Sequence, residues 1–443
     1  MKATASNYRN RKGSKEGNKG NAGKTDSKGR TPRKTGRAPV KLDRSDVSDK
    51  PDPKTKRQQQ TQPLTSHPGP SSPPRRALIG ITLGDPAGVG PEVTLKALLG
   101  KGEGSGDALL CEMDVLLIGP AWVYREVAGR FALRARFEEI DRDAFDSAPD
   151  RASCLPAAER KSGCVPVFPV YTPRGCEEEF ILPYGREDAL CGALAIRAIE
   201  AGARLAMAGR VDAIVTAPIS KAALNAAGAH FPGHTEMLQS LARSPRVGMM
   251  LAGGGLRVAL VTIHEAMARV PELLTTERVF EMIRLTHEFL RSWDCPEPRL
   301  ALCAFNPHAG EGGMFGDEEM RVLIPAARQA RENGMRVEGP LPADTVFHFA
   351  RQGQFDAVVS LYHDQALIPI KTLDFDGGVN LTMGLPFVRT SPDHGTAFGI
   401  AGQGVARATS MRHALRTACD LARRRRNARA GDDLLTPKKN PRR

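Results

Sequence analysis

The first 76 residues of this 443-residue chain contain almost no apolar side chains, so they cannot assemble a core and are expected to form a disordered basic arm. That arm has no apolar h-region and no amphipathic arginine-rich stretch, which excludes a secretory signal. No apolar run anywhere approaches the length needed to cross a bilayer, so no membrane partner is expected. The eight cysteines (Cys111, Cys154, Cys164, Cys176, Cys191, Cys295, Cys303 and Cys419) include no C-x-x-C pair, which excludes a zinc knuckle or a dithiol redox motif. Several of these thiols sit in apolar runs, as suits a reducing compartment, and the cytoplasm is the expected location.

The formal net charge of +13 belongs to the two ends of the chain. Residues 1–76 hold 20 basic and 6 acidic side chains, and residues 423–443, beginning with Arg423 to Arg426, hold 9 and 2. The body between them is therefore mildly acidic. A uniformly basic domain would suggest nucleic acid, whereas an acidic body with basic appendages suggests an enzyme with solvated tails, and no nucleic-acid partner is expected.

From Ala77 onward, short β-branched and leucine-rich runs alternate with stretches of helical period, the pattern of α/β layers around a mainly parallel sheet. Strands are predicted at 77–84, 114–119, 212–217, 257–263, 299–305 and 356–362, and helices at 185–209, 271–292 and 317–333. The length of this body suggests two lobes. The residues just beyond the strands are more informative. The run 212–217 leads to Pro218 and Lys221, 257–263 to His264, 299–305 to Asn306, Pro307 and His308, and 356–362 to His363 and Asp364. Ligands of open α/β sheets sit outside the carboxyl ends of strands, so these side chains are placed to meet.

One histidine after a strand is usually a hydrogen-bonded structural residue. Three after three strands point to a metal, because neutral imidazoles are ligands for zinc and similar divalent ions and three of them leave positions open for substrate oxygens. His264, His308 and His363 are the expected ligands, to be assembled by the fold or between subunits. Gly233-His234-Thr235-Glu236 places an imidazole and a hydroxyl beside a glycine, and Lys371, Asn380 and Arg389 come after the third histidine. This mixture can hold a phosphate and a carboxylate, although it could also be an ordinary polar surface. The glycines of NPHAGEGG (306–313) predict a sharp functional turn. In GDPAGVGPE (84–92), Pro91 and Glu92 would open a helix, but neither a dinucleotide fingerprint nor a P-loop can be read there. Gly253 to Gly255 precede a strand and read as a turn.

In this order, GDPAGVGPE, TAPISK, FPGHTE, NPHAGEGG, GPLPADT, YHDQ and GVNLTMGLPFVRTSPDHGT resemble the 4-hydroxythreonine-4-phosphate dehydrogenase family over roughly residues 77–420. The basic ends have no counterpart in the resemblance. It implies a fold similar to isocitrate and isopropylmalate dehydrogenases, with two α/β/α lobes and a cleft between them: 77–215 with 385–422 as one lobe, 216–384 as the other, and 423–443 as a tail. It also implies a homodimer with shared active sites, NAD or NADP bound without the usual glycine fingerprint, and one divalent ion (zinc, magnesium or cobalt) on His264, His308 and His363. Substrate contacts fall on His234, Thr235, Lys371, Asn380 and Arg389, and Lys221, Asp344 and Asp364 are candidates for proton transfer or, equally, for structural pairing.

The implied reaction oxidises 4-(phosphooxy)-L-threonine to a β-keto acid that loses carbon dioxide to give 3-amino-2-oxopropyl phosphate, in pyridoxal 5'-phosphate (vitamin B6) biosynthesis. Siblings acting on threonate or erythronate 4-phosphate or on a dihydrodiol form one alternative. A metal-dependent hydrolase or lyase without nicotinamide is a more distant one.

Overall fold

The computed structural model describes residues 75–100, 106–149, 151–155, 163–173, 180–293 and 295–435; the expected basic arm and the end of the expected tail lie outside them. Among the described residues there are twelve strands: β1 (Leu78–Thr82), β2 (Asp114–Ile118), β3 (Arg136–Glu139), β4 (Cys164–Phe168), β5 (Ala213–Thr216), β6 (Gly248–Gly253), β7 (Leu256–Leu260), β8 (Arg299–Cys303), β9 (Arg336–Leu341), β10 (Ala357–Ser360), β11 (Val379–Met383) and β12 (Val388–Pro392). They form one sheet in the order β3-β4-β2-β1-β5-β12-β11-β6-β7-β10-β8-β9.

Six strands, β3 to β12 in that order, are mutually parallel, as are β7, β10, β8 and β9. Between these blocks, β11 pairs antiparallel with both β12 and β6, and β6 antiparallel with β7. The parallel strands β1, β2, β5, β7, β8 and β10 read as largely apolar runs because both of their faces are covered. Successive residues of β7 alternate between two apolar clusters: Val258 and Leu260 pack with Ala301, Val358 and Ile370, and Ala259 packs with Leu300, Leu302 and Val359. That half of the sheet is therefore sandwiched between two apolar layers.

All six predicted strands are present and each stops at least one residue early at its C-terminal end; β7 also starts one residue before its expected position. The helix expected at 185–209 runs Ala189–Met207, its start set by Asp188, whose carboxylate accepts from the Cys191 N–H. The stretch 271–292 is divided by Thr275, which caps the helix Thr276–Ser292. The stretch 317–333 opens as a π-helical turn, Glu319–Leu323, before the α-helix Ile324–Glu332; Pro325 offers no N–H to a regular ladder at this point. Gly254 and Gly255, at φ 59° and 83°, make the tight β6–β7 hairpin. Pro91 does open a helix, Gly90–Leu99. The final helix, Thr409–Leu435, carries Arg423 to Arg426 within it, and Arg424 donates to Asp420 one turn back, so the tail expected from 423 begins as helix. Among the described residues no helix is long and apolar enough to cross a membrane.

Candidate active site

The register of the central strands sets the floor of the site. Asn380 pairs with Ser391, Thr382 with Met249, and Arg389 with Ile214 two positions before Thr216. With a side-chain period of two, Thr216, Met249, Asn380, Thr382, Arg389 and Ser391 share one face. All but Thr382 line a cavity of about 840 Å3.

Arg389 is 4% exposed. Its Nε and Nη2 donate to Thr216 Oγ1 at 3.2 and 2.7 Å, and its Nη1 donates to Thr382 Oγ1 at 2.9 Å. Burial pulls its guanidinium down to about 10. No carboxylate forms an ion pair with it among the described residues. A buried cation held only by neutral hydroxyls is stabilised when an anion arrives, and the guanidinium fork matches phosphate or carboxylate.

The walls come from the segments beyond the strand ends. After β5, Ser220 caps the short helix Lys221–Ala226 and sets Lys221 at the cavity wall. Gly233 precedes the helix His234–Ala242, whose first turn brings His234, Thr235 and Glu236 to the cavity. Burial, reinforced by Arg389, holds His234 well below the usual imidazole range, so it is neutral at physiological pH. Its Nε2 is buried without a partner, as are Asn380 Oδ1 and His394 Nε2. Buried polar atoms are nearly always satisfied, so these three atoms leave the cavity able to take a polar ligand or water. The helix His363–Leu373 presents Leu367 and Lys371 at i, i+4 spacing; Lys371 Nζ pairs with Asp393 Oδ2 at 2.5 Å and donates to the Asp393 carbonyl at 3.0 Å.

His264 and His363 are brought together, with ring centroids 5.5 Å apart. The Nδ1 of His363 lies 2.7 Å from Asp364 Oδ1, which leaves its Nε2 free. Burial, with Lys221 and His363 adding to it, keeps His264 below the usual imidazole range. His308 stands apart: it is 71% exposed, 3.4 Å from Glu311, with its ring edge-on to Phe315. Among the described residues no group of three or more His, Cys, Asp or Glu side chains is gathered as a metal would need. The turn expected at NPHAGEGG is a left-handed run, with φ between 42° and 76° from His308 to Gly312. Buried Glu319 holds it in place by accepting from the N–H groups of Phe305 and Asn306 at 2.8 and 2.7 Å.

Buried Gln365 ties two of the histidine-bearing segments to each other. Its Nε2 donates to the Ala304 carbonyl beyond β8, and its Oε1 accepts from the Leu361 N–H beyond β10, both at 2.8 Å. Thr262, two residues before His264, donates through both N–H and Oγ1 to the Leu361 carbonyl. All three strand ends are thus cross-linked.

Of the proton-transfer candidates, Lys221 lines the cavity, whereas Asp364 is exposed beside His363 and Asp344 is exposed in the first turn of Ala343–Arg351, away from the cavity lining. The sequence pattern does not single out Glu236, Arg278, Asp393 and His394, which also line the cavity. Three of these lie inside quoted motifs, but nothing in their spacing separates them from turn residues. Nor does the pattern single out Asp85, fully buried after β1, which burial pushes up to about 6, with Asp188 and Glu187 adding to the rise. A second cavity of about 260 Å3 shares Lys371, Asp393 and His394 with the first and extends toward Phe375, Ala397 and Arg407.

The family profile described as Pyridoxal phosphate biosynthetic protein PdxA matches residues 112–418. A 4-hydroxythreonine-4-phosphate dehydrogenase of Geobacter metallireducens is 48% identical over 354 residues, which cover 80% of this chain and 97% of that protein. A D-threonate 4-phosphate dehydrogenase of Cupriavidus necator is 42% identical, covering 79% of this chain and 98% of that one. The crystal structure of 4-hydroxythreonine-4-phosphate dehydrogenase from Klebsiella pneumoniae superposes with a TM-score of 0.68 at 39% identity, over 78% of this chain and 98% of that chain. With the profile spanning most of the described body and relatives covered almost end to end, the chain belongs to the PdxA family of dehydrogenases.

Proposed function

We propose that the chain oxidises 4-(phosphooxy)-L-threonine with NAD or NADP, as a homodimer with shared active sites, in pyridoxal 5'-phosphate synthesis in the cytoplasm. One observation carries most of this reading: Arg389, a buried cation with no ion-pair partner among the described residues, shares a cavity with His264, whose ring lies 5.5 Å from that of His363. An anionic substrate held at Arg389 leaves its remaining groups to reach the histidines.

The donor chemistry, imidazole nitrogens, suits a divalent ion such as zinc or cobalt better than magnesium, which prefers oxygen ligands. His264 is held neutral, and the hydrogen bond of His363 to Asp364 fixes that ring, as partners of metal-bound imidazoles commonly do. His308, exposed on its left-handed loop, would be the third ligand, supplied by a second subunit. Such an ion, when bound, supplies a Lewis acid that lowers the pKa of an alcohol and stabilises the resulting oxyanion. The nicotinamide supplies the hydride acceptor, and the adjoining cavity beside Asp393 and His394 is where we place its approach.

The chain's own residues do the rest. Arg389, His234, Thr235 and Asn380 hold the anionic groups and fix the reacting carbon. Lys371, paired with Asp393, adds positive charge at the boundary of the two cavities. Lys221, beside His264, is placed to exchange a proton with the substrate's hydroxyl. We assign the two lobes expected from the sequence to the halves of the single sheet on either side of the β12–β11 pairing, whose residues Asn380, Arg389 and Ser391 line the cavity.

The experiment is NAD(P)H formation by purified protein with added divalent metal, offering 4-(phosphooxy)-L-threonine beside D-threonate 4-phosphate and erythronate 4-phosphate, with His363→Ala as control. Turnover of the first substrate, lost in the control, is the expected result. Turnover of another acid alone would move the chain to a sibling reaction, and product formation indifferent to nicotinamide would overturn the dehydrogenase reading.

A further inference from the structure

The relatives act on substrates that differ in charge beside the carboxylate. The carbon next to that group bears an ammonium in phosphorylated hydroxythreonine and a neutral hydroxyl in threonate phosphate. Four cationic side chains line the cavity, Lys221, Arg278, Lys371 and Arg389, together with three carboxylates: Glu236, Glu265 and Asp393. Asp393 is committed to Lys371 at 2.5 Å, and Glu265 faces Arg269 at 3.8 Å. Glu236 has no hydrogen bond or ion pair among the described residues, although it is half-buried in the first turn of its helix. It lines the same cavity as Arg389 and His264, and its charge acts on both. The buried, unpartnered Nε2 of His234 and Oδ1 of Asn380 line the same cavity.

We infer that Glu236 is a specificity-determining residue that takes the substrate's ammonium, so that the site selects an amino-bearing phosphorylated hydroxy acid over its 2-hydroxy counterpart. The inference rests on the dehydrogenase reading above. An unpaired carboxylate in a cation-rich, partly desolvated cavity gains from a cationic ligand group and gains little from a neutral hydroxyl. The competing role is structural: Glu236 stands at the third helical position, where a carboxylate can reach back toward the helix start. Glu236→Gln separates the two roles, because glutamine serves that position equally well while removing the charge.

The test compares wild type with E236Q on 4-(phosphooxy)-L-threonine and on D-threonate 4-phosphate, in kcat and KM. Calorimetric titration of each substrate into metal-loaded protein without nucleotide adds a binding measurement, and a melting curve adds a check of folding. The expected result is a loss of about 10- to 100-fold in kcat/KM and in affinity for the amino substrate, expressed mainly in KM. The threonate phosphate values should stay within about threefold and the melting temperature should be unchanged. Equal losses on both substrates, or none on either, would overturn the role of Glu236 and leave the dehydrogenase intact. Wild-type turnover of threonate phosphate alone would also overturn it, whereas wild-type turnover of neither substrate would remove the reading on which it rests.

Discussion

Arg389→Met separates two effects of opposite sign. Burial lowers the guanidinium from its ordinary value to about 10, which corresponds to about 3 kcal/mol against the charged form at neutral pH. The substitution removes that penalty and strands the hydroxyls of Thr216 and Thr382, at about 1 kcal/mol each. The ligand-free variant should therefore unfold in urea at least as stably as wild type, to within about 1 kcal/mol, despite losing three hydrogen bonds. Wild type should gain about 1.4 kcal/mol from inorganic phosphate at ten times its dissociation constant, and the variant should gain nothing. Its kcat/KM for the phosphorylated substrate should fall by about 100- to 1000-fold. Circular dichroism across urea series with and without phosphate reads both effects. A loss above about 2 kcal/mol without ligand would show that Arg389 is a strut for the central strands and would refute the reasoning.

Asp85 provides a pH test. Its carboxyl is raised from 3.8 to about 6, so the native state binds its proton more tightly than the unfolded chain does. Stability from this group is complete below about pH 4 and lost as pH rises toward 6, amounting to about 3 kcal/mol. Asp85→Asn should match wild type near pH 4 and exceed it by up to that amount at pH 7; urea midpoints showing a constant offset would contradict this. Gln365→Leu leaves the Ala304 carbonyl and the Leu361 N–H unpaired and should cost about 2–6 kcal/mol in unfolding, so a loss below 1 would mean that the brace is dispensable. His308→Ala and His363→Ala should each be inactive alone, but refolding them together should restore about a quarter of wild-type activity if sites are shared between subunits. No recovery in mixtures shown to contain heterodimers would exclude His308 as a ligand given across the interface.

Much of the half-sheet carrying His264, His308 and His363 was legible in the sequence, because β7, β8 and β10 are short apolar runs ending in polar residues. The strands β11 and β12 were not, although they lie at the centre of the sheet. Their residues, VNLTM and VRTSP, mix polar side chains into a buried setting, since one face of these strands is the floor of a polar cavity. A hydrophobic pattern cannot report a strand whose inward face carries buried polar and charged side chains.

The sequence by itself determined the α/β layering, the family, and a set of side chains at strand ends, because apolar periodicity and strand-to-turn junctions are local properties. Only the tertiary structure decided which of those side chains meet. It brought Lys221, His234, Lys371, Asn380 and Arg389 around one cavity, set His264 beside His363, and left His308 and Asp344 outside. Pairing register and burial made those choices. A one-residue slip of β12 would turn Arg389 to the opposite face, and the meaning of a charge depends on whether the folded chain supplies its counter-ion.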